Sequence, residues 1–230
     1  MSDFNAFPND LFAFLNDLAA NNNREWFNAN KERYKQSVLE PMRAFIIAMG
    51  ERLPNISMNF TADPRSNGGS MFRIYRDVRF SKDKRPYKEN VGCQFRHIAG
   101  KSAHAPGFYV HLQPDNVFFG GGIWMPPNPV LNKIREAIVS RQAEWEKIIG
   151  DDNIHKGLIR LEGERLKRPP SGFDKEHPYI EDIKRKSFFM MHNARPSSPM
   201  QSGFIDAVER VFIASSPLMR FITVALGLPF

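Results

Sequence analysis

The run Phe108-Tyr109-Val110-His111-Leu112-Gln113-Pro114-Asp115-Asn116-Val117-Phe118-Phe119 alternates side-chain character on either side of a Pro-Asp-Asn turn. A period of two is the repeat of a β-strand, and Pro followed by Asp and Asn is turn chemistry, so the run reads as a hairpin. Upstream, residues 91–98 repeat the pattern with Val91, Cys93 and Phe95 on one side. A three-stranded antiparallel meander follows. A short alternation at Met58 and Phe60 precedes it, and Ser187 to Asn193 adds another strand, whose unbroken Phe188-Phe189-Met190-Met191 predicts burial on both faces.

Helical periods lie on both sides of this β-rich centre. Leu11, Leu15 and Leu18 repeat at helical spacing behind Pro8; Asn23 is placed to cap a second helix through Trp26 and Phe27; Pro41 is placed to start a third with Met42, Phe45, Ile46 and Met49. After the sheet, Asn128-Pro129 opens a helix containing Leu131, Ile134, Ile138 and Trp145. Ser198-Pro199 opens another, and a last one begins near Pro217. Alternating βαβ units are absent, so the expectation is an α+β fold in a single domain of residues 1–230: a central antiparallel sheet flanked by N-terminal and C-terminal helices. Residues 1–55 form its helical part, 56–125 the sheet and a basic segment, and 126–230 a mixed part with a helical end.

Of 230 residues, 42% are hydrophobic and 25% charged, which excludes a disordered or membrane-embedded chain. The longest apolar stretch, residues 221–230, is too short to span a bilayer, and residues 1–5 lack the basic and apolar regions of a secretory leader. Cys93 is the one cysteine, which excludes an internal disulfide and a multi-cysteine zinc site. A cytoplasmic protein with no membrane partner, no metal and no cofactor is expected.

The net charge of +7 has an address. Between Arg65 and Lys101 there are ten bases (Arg65, Arg73, Arg76, Arg79, Lys82, Lys84, Arg85, Lys88, Arg96, Lys101) and three acids (Asp77, Asp83, Glu89), a surplus equal to that of the whole chain. A local positive field points to an anionic partner. Residues 71–80 fit a strand and also a helix; under the favoured strand reading Arg73, Asp77 and Arg79 share a face. Asp77 would then hold guanidinium groups whose free forks grip phosphate or carboxylate. Tyr75, Phe80 and Tyr87 stand among the bases, as stacking rings do in a single-stranded nucleic-acid groove. The competing reading is structural: Asp77 and Asp83 pair with neighbouring arginines and fix a loop.

Other motifs are weaker. Gly120-Gly121-Gly122, between a strand and a helix, either frees backbone N–H groups for a phosphate or lets two backbones pass closely. Gly100-Lys101-Ser102 is no phosphate loop, because the glycine that motif requires is Phe95. Cys93, His97 and His111 are a conceivable metal cluster without ligand spacing. His177 sits in Lys175-Glu176-His177-Pro178, a loop where function is plausible.

Several motifs then fall into one order. They are Asn22-Asn23-x-x-Trp26-Phe27-x-x-Asn30-Lys31, Arg73-Ile74-Tyr75-Arg76-Asp77-x-Arg79-Phe80-Ser81-x-Asp83-Lys84-x-Pro86-Tyr87-Lys88 and Gly121-Gly122-x-Trp124-x-Pro126. Leu166-Lys167-x-Pro169 and Phe173-Asp174-x-Glu176-His177-Pro178 complete the set. Together they resemble the family called domain of unknown function 2461 over nearly the whole chain. Glu176 departs from the Asp expected before His-Pro. The resemblance implies a single-domain protein of bacterial or fungal type with no assigned activity, and it carries over no catalytic residue.

The leading expectation is a module that binds an anionic ligand, either single-stranded nucleic acid or a phosphorylated small molecule. Arg73, Arg76, Arg79, Lys82, Lys84 and Lys88 would bind it. Tyr75, Asp77, Asp83, Tyr87, Gly121, Gly122, Trp124 and His177 would support the site. The alternatives are an enzyme acting on a phosphorylated small molecule, with Asp77 or Asp83 as base and His177 as acid, and a protein-interaction module.

Overall fold

A computed structural model describes residues 4–100 and 105–230. Lys101, the Gly100-Lys101-Ser102 motif beyond Gly100, and the first three residues of the chain lie outside them. The fold is α+β. Its sheet has six antiparallel strands in the order β1-β2-β3-β4-β6-β5: β1 (Phe60–Thr61), β2 (Val91–His97), β3 (Gly107–Gln113), β4 (Asn116–Ile123), β5 (Arg160–Glu162) and β6 (Phe188–Ala194). The Pro114-Asp115 hairpin closes with Gln113 opposite Asn116. Beyond it β4 runs four residues past Phe119, paired with β3 on one side and β6 on the other. The two edge strands, β1 and β5, have only two and three residues.

The helices are α1 (Asp10–Ala20), α2 (Arg24–Ala29), α3 (Lys31–Tyr34), α4 (Glu40–Arg52), α5 (Asn128–Ser140), α6 (Gln142–Ile149), α7 (Asp152–His155), α8 (Ile180–Ile183) and α9 (Phe204–Ala225). Asn23 caps α2 as expected, its side chain accepting from the Trp26 amide at 2.9 Å. Pro41 sits in the first turn of α4 as expected, but no break precedes it: α3 passes into α4 through a π-turn, Lys35–Leu39, which accommodates the missing proline N–H within one continuous rod. Pro217 lies inside α9 rather than at its start. Apolar burial along both halves of α9 outweighs the lost hydrogen bond, and Ser198-Pro199 forms only a 3₁₀ turn.

The alternation of the strands sorts their side chains. Phe95, Phe108, Phe119 and Phe188 face the helices and are fully or almost fully buried. Phe212 of α9 stacks on Phe108 at 4.5 Å, and Phe204 meets Phe119 edge-on at 5.6 Å. From the other direction Phe45 of α4 closes on Phe95 at 6.5 Å. These buried residues belong to one contiguous apolar cluster. Behind β6, Trp145 is fully buried between Phe188 and Phe221. Its indole N–H donates to Asp182 Oδ2 at 3.0 Å; Arg185 Nε donates to Asp182 Oδ1 at 3.0 Å; Arg135, 2% exposed, donates to the carbonyls of Ile183 and Arg185. This buried polar knot ties the irregular segment 163–187 to the helices.

Residues 71–90 form neither a strand nor a helix. They leave the sheet at the isolated bridge Met71–Cys93 and fold back on themselves at the bridge Tyr75–Tyr87. The Arg76 amide bonds the Pro86 carbonyl at 2.9 Å, and the Lys88 amide bonds the Ile74 carbonyl at 2.8 Å. The physical reason is local. Asp77 Oδ1 accepts the Arg79 amide and Asp83 Oδ1 accepts the Arg85 amide, turns that compete with a ladder. Nor is β6 buried on both faces: Phe188 and Met190 are buried, whereas Phe189 and Met191 are only half-buried.

Candidate functional site

Among the described residues no helix packs on the second face of the sheet in the way α9 packs on the first, and that face forms a groove of about 840 Å³. Its floor is open because Gly92, Gly107 and Gly122 occupy positions on this face. At Gly120, a side chain would run into the Met190 carbonyl of β6. Gly120 and Gly122 therefore sit where β4 and β6 approach closely, while Gly121 between them lies against the Phe108 and Met219 side chains on the core face, and all three are held in the ladders of β3 and β6.

Rings wall the groove. His111 stacks on Phe118 at 4.5 Å with an interplanar angle of 12°, Tyr109 lies 5.8 Å from Phe118 and 5.9 Å from Phe72, and Trp124 leans on Phe189 at 5.3 Å. Trp124 is 71% exposed at the rim. The next residue, Met125, has φ 42° and donates its amide to Ser187 Oγ at 2.8 Å, which fixes the bend that presents the indole.

Polar groups are set between the rings. Tyr109 Oη lies 3.0 Å from His111 Nδ1, and His111 Nε2 lies 3.3 Å from Gln113 Oε1. A proton on Nε2 serves both contacts, with the tyrosine hydroxyl donating to Nδ1. Asn90 Nδ2 stands 3.2 Å from the same ring. Burial pulls the His111 pKa below its ordinary 6.5, against the opposing Gln113 bond, and pushes Tyr109 up to about 12. Both groups are uncharged near pH 7. Gln94 and Asn193 add amides, and the charged lining residues are Lys88 and Glu162. Lys88 Nζ donates to the Arg73 carbonyl at 2.9 Å and lies 5.5 Å over the Phe72 ring. Burial, with the nearby Arg73 charge, pulls its pKa below 10.5.

The basic segment is one rim of this groove, joined to it through Phe72 and Lys88. Its carboxylates are engaged internally. Arg79 grips Asp77 at 2.7 Å; Asp83 receives Arg76 at 2.7 Å and Arg85 at 2.8 Å; Arg85 also reaches Glu89. Lys84 Nζ donates to the Val78 carbonyl at 3.0 Å. Among the described residues Arg73 and Lys82 make no ion pair or side-chain hydrogen bond. The side-chain bonds of Arg85, then those of Arg76, hold the Asp83 carboxyl far below the usual carboxylate range, and Arg79 does the same to Asp77 to a lesser degree. Asp83→Asn is expected to loosen this loop. Trypsin should then cut between Arg76 and Lys88 faster than in the parent, with the global unfolding midpoint little changed, because these pairs lie at the surface.

The groove thus brings together Lys88, Gly121, Gly122 and Trp124 of the residues singled out in the sequence. Tyr87 is buried, stacked on Phe27 at 4.1 Å and tied to the Asn22 side chain through both its amide and its carbonyl. Tyr75 and Phe80 are exposed. His177 does not line the groove; its Nδ1 accepts the Tyr179 amide at 3.1 Å within its own turn. Cys93 and His97 face the core while His111 faces the groove, so the three do not converge. Asn90, Gln94, Tyr109, Phe118, Phe189, Met191 and Asn193 line the groove without any signal in the sequence that assigns them to it, and His111, a metal candidate in the sequence, lines it as well. In β3 the alternate positions Tyr109 and His111 carry rings on the groove side.

This architecture defines a class: an α+β protein whose antiparallel sheet is covered by helices on one face and offers a ring-lined groove on the other. A family model described as "Conserved hypothetical protein (DUF2461)" matches residues 10–221, and the chain belongs to that family. Neither the curated proteins nor the solved structures contain a match to it. Among the described residues no helix is long and apolar enough to cross a membrane.

Proposed function

We propose that this protein binds an anionic small molecule with a flat body, such as a phosphorylated ring compound, in the groove of the open sheet face. The observation that carries this reading is the groove itself: ring walls, neutral hydrogen-bonding groups on its floor, and Lys88 at the rim where the basic segment joins it. Apolar walls with a few convergent polar groups are the usual composition of a ligand site. The flat body would lie between the Trp124–Phe189 pair and the Tyr109–His111–Phe118 cluster. The anion would meet Lys88 and Arg73. Binding is favoured over catalysis by Asp77 and Asp83, because carboxylates held so low by guanidinium partners are weak bases near neutral pH.

A thermal-shift panel of inorganic phosphate, nucleoside monophosphates and short oligonucleotides, at low and high salt, tests the reading. A ligand at one hundred times its dissociation constant adds about 2.7 kcal/mol, or roughly 5–11 °C for a chain of this size. Lys88→Met is expected to remove the shift. The affinity for phosphate should also fall as pH rises towards the depressed Lys88 pKa, before the ordinary lysine value of 10.5 is reached, because only the ammonium form attracts the anion. A Lys88→Met protein should lack that fall. If no anion in the panel shifts the midpoint, the reading is wrong and acidic protein partners become the next search.

A further inference from the structure

We propose that the groove takes one nucleotide of a single-stranded nucleic acid whose neighbouring nucleotides lie along the Arg73–Lys88 loop, with bases stacked on Tyr75 and Phe80. This rests on the groove reading above and names its ligand class.

The starting observation is Phe80, 95% exposed at the tip of the loop, with Tyr75 56% exposed on the same loop. A phenyl ring in water gains nothing from this fold. The loop around it is nevertheless held in shape: two Asp-x-Arg turns and the Arg76–Asp83 pair close it before any partner arrives. A preshaped loop loses less conformational freedom on binding. Residues 71–90 hold seven bases against three acids, and those acids are the ones used in closing the loop. What faces outward is therefore a positive field with rings set in it. Arg79 illustrates the pattern, its guanidinium paired with Asp77 and 5.9 Å from the Phe80 ring.

The partner must be anionic along its length and present flat apolar faces at intervals, which is the chemistry of an unpaired nucleic-acid strand. An anionic bilayer fits less well: Tyr75 and Phe80 are separated by Arg76, Asp77, Val78 and Arg79, so that one apolar residue and three charged ones stand between the rings. The loop delivers such a strand to the groove, since Phe72 and Lys88 belong to both. Inside, Asn90, Gln94 and Asn193 bring amide groups to a base edge, with Asn90 Nδ2 also meeting His111 and Gln94 Oε1 also accepting from Arg96 Nε at 3.2 Å.

The test is fluorescence anisotropy of end-labelled single-stranded RNA and DNA octamers, with a nucleoside monophosphate followed in parallel by isothermal titration calorimetry. Phe80 is exposed, so Phe80→Ala is expected to fold normally, which circular dichroism checks. Octamer affinity should fall between about fivefold and a hundredfold more than monophosphate affinity in Phe80→Ala. Lys88→Met should weaken both ligands. Two to four neutralised phosphates should give a salt slope of about −1.4 to −2.8 for the octamer. Monophosphate binding without octamer binding, or octamer binding indifferent to Phe80→Ala, overturns this inference and leaves the groove reading standing. Octamer binding that depends on Phe80 but not on Lys88 places the strand outside the groove and overturns it too. Sedimentation with phosphatidylserine vesicles that requires Phe80, with no octamer binding, assigns the loop to a membrane and overturns it. If neither nucleic-acid ligand nor phosphate binds, both readings fail together.

Discussion

Replacing Asp182 by alanine is expected to lower the unfolding free energy by about 3–5 kcal/mol and the midpoint by roughly 6–20 °C. Asp182 is small in area but central in the knot behind β6. One oxygen accepts from the Trp145 indole and the other from Arg185, whose side chain is 6% exposed. Burial already pulls the Arg185 pKa down, with the Asp182 hydrogen bond opposing it. Without the carboxylate a buried guanidinium, charged at any ordinary pH, has lost its counter-charge, and the Trp145 N–H has lost its acceptor. The damage should spread, because the Arg185 carbonyl also receives Arg135 at 3.1 Å. Denaturant unfolding at neutral pH measures the effect. Asp182→Asn, which keeps an acceptor but not the charge, should fall between the parent and the alanine variant. A loss under about 1 kcal/mol for Asp182→Ala would show that the knot contributes shape without stability.

The second large effect concerns Gly120. A valine there would drive its Cβ into the Met190 carbonyl, with the Met191 sulfur beside it at 2.7 Å. The Met191 thioether can swing aside, but the Met190 carbonyl cannot: it is backbone, and β4 is paired on both sides. The expected cost is about 3 kcal/mol, at the upper end of overpacking, because strands β4 and β6 must part locally. Parting them also shifts Phe189 and Met191, which line the groove. Ligand binding should therefore weaken even in the folded fraction. Thermal melts and the phosphate panel, run on the same preparation, separate the two losses.

The hairpin at Pro114-Asp115, the Asn23 cap and the α+β order of elements were legible because each depends on residues close in sequence. The groove was not. Its floor and walls come from strands 91–97, 107–113, 116–123 and 188–194, and which side of a strand meets helices depends on what packs there, not on the strand alone. Phe118, Phe189 and Met191 are as apolar as their core-facing neighbours, so periodicity could not separate wall from core. Pro41 marks the first turn of α4 as its local preference predicts, whereas at Pro217 long-range burial along α9 overrides that preference. The loop was legible in part. Asp77-Val78-Arg79 and Asp83-Lys84-Arg85 repeat one three-residue device, and Asp63-Pro64-Arg65 uses it a third time, its carboxylate taking the Arg65 amide at 3.0 Å. Reading that repeat as a turn would have displaced the strand assignment for residues 71–80.

The brevity of the outermost strands has a consequence for how copies of this chain can meet. A long, flat border with unpaired amides and carbonyls is a template on which another chain can extend the sheet, the route to swapped dimers and fibrils. Here the central strands of seven and eight residues are bordered by one of two residues and one of three. Arg160 and Glu162 put opposite charges on one edge, and Thr61 is exposed on the other. Continuation of the ladder into a neighbour would run out of register after a single residue pair or two. Growth of the sheet by addition of a strand from a second copy is therefore disfavoured at both borders.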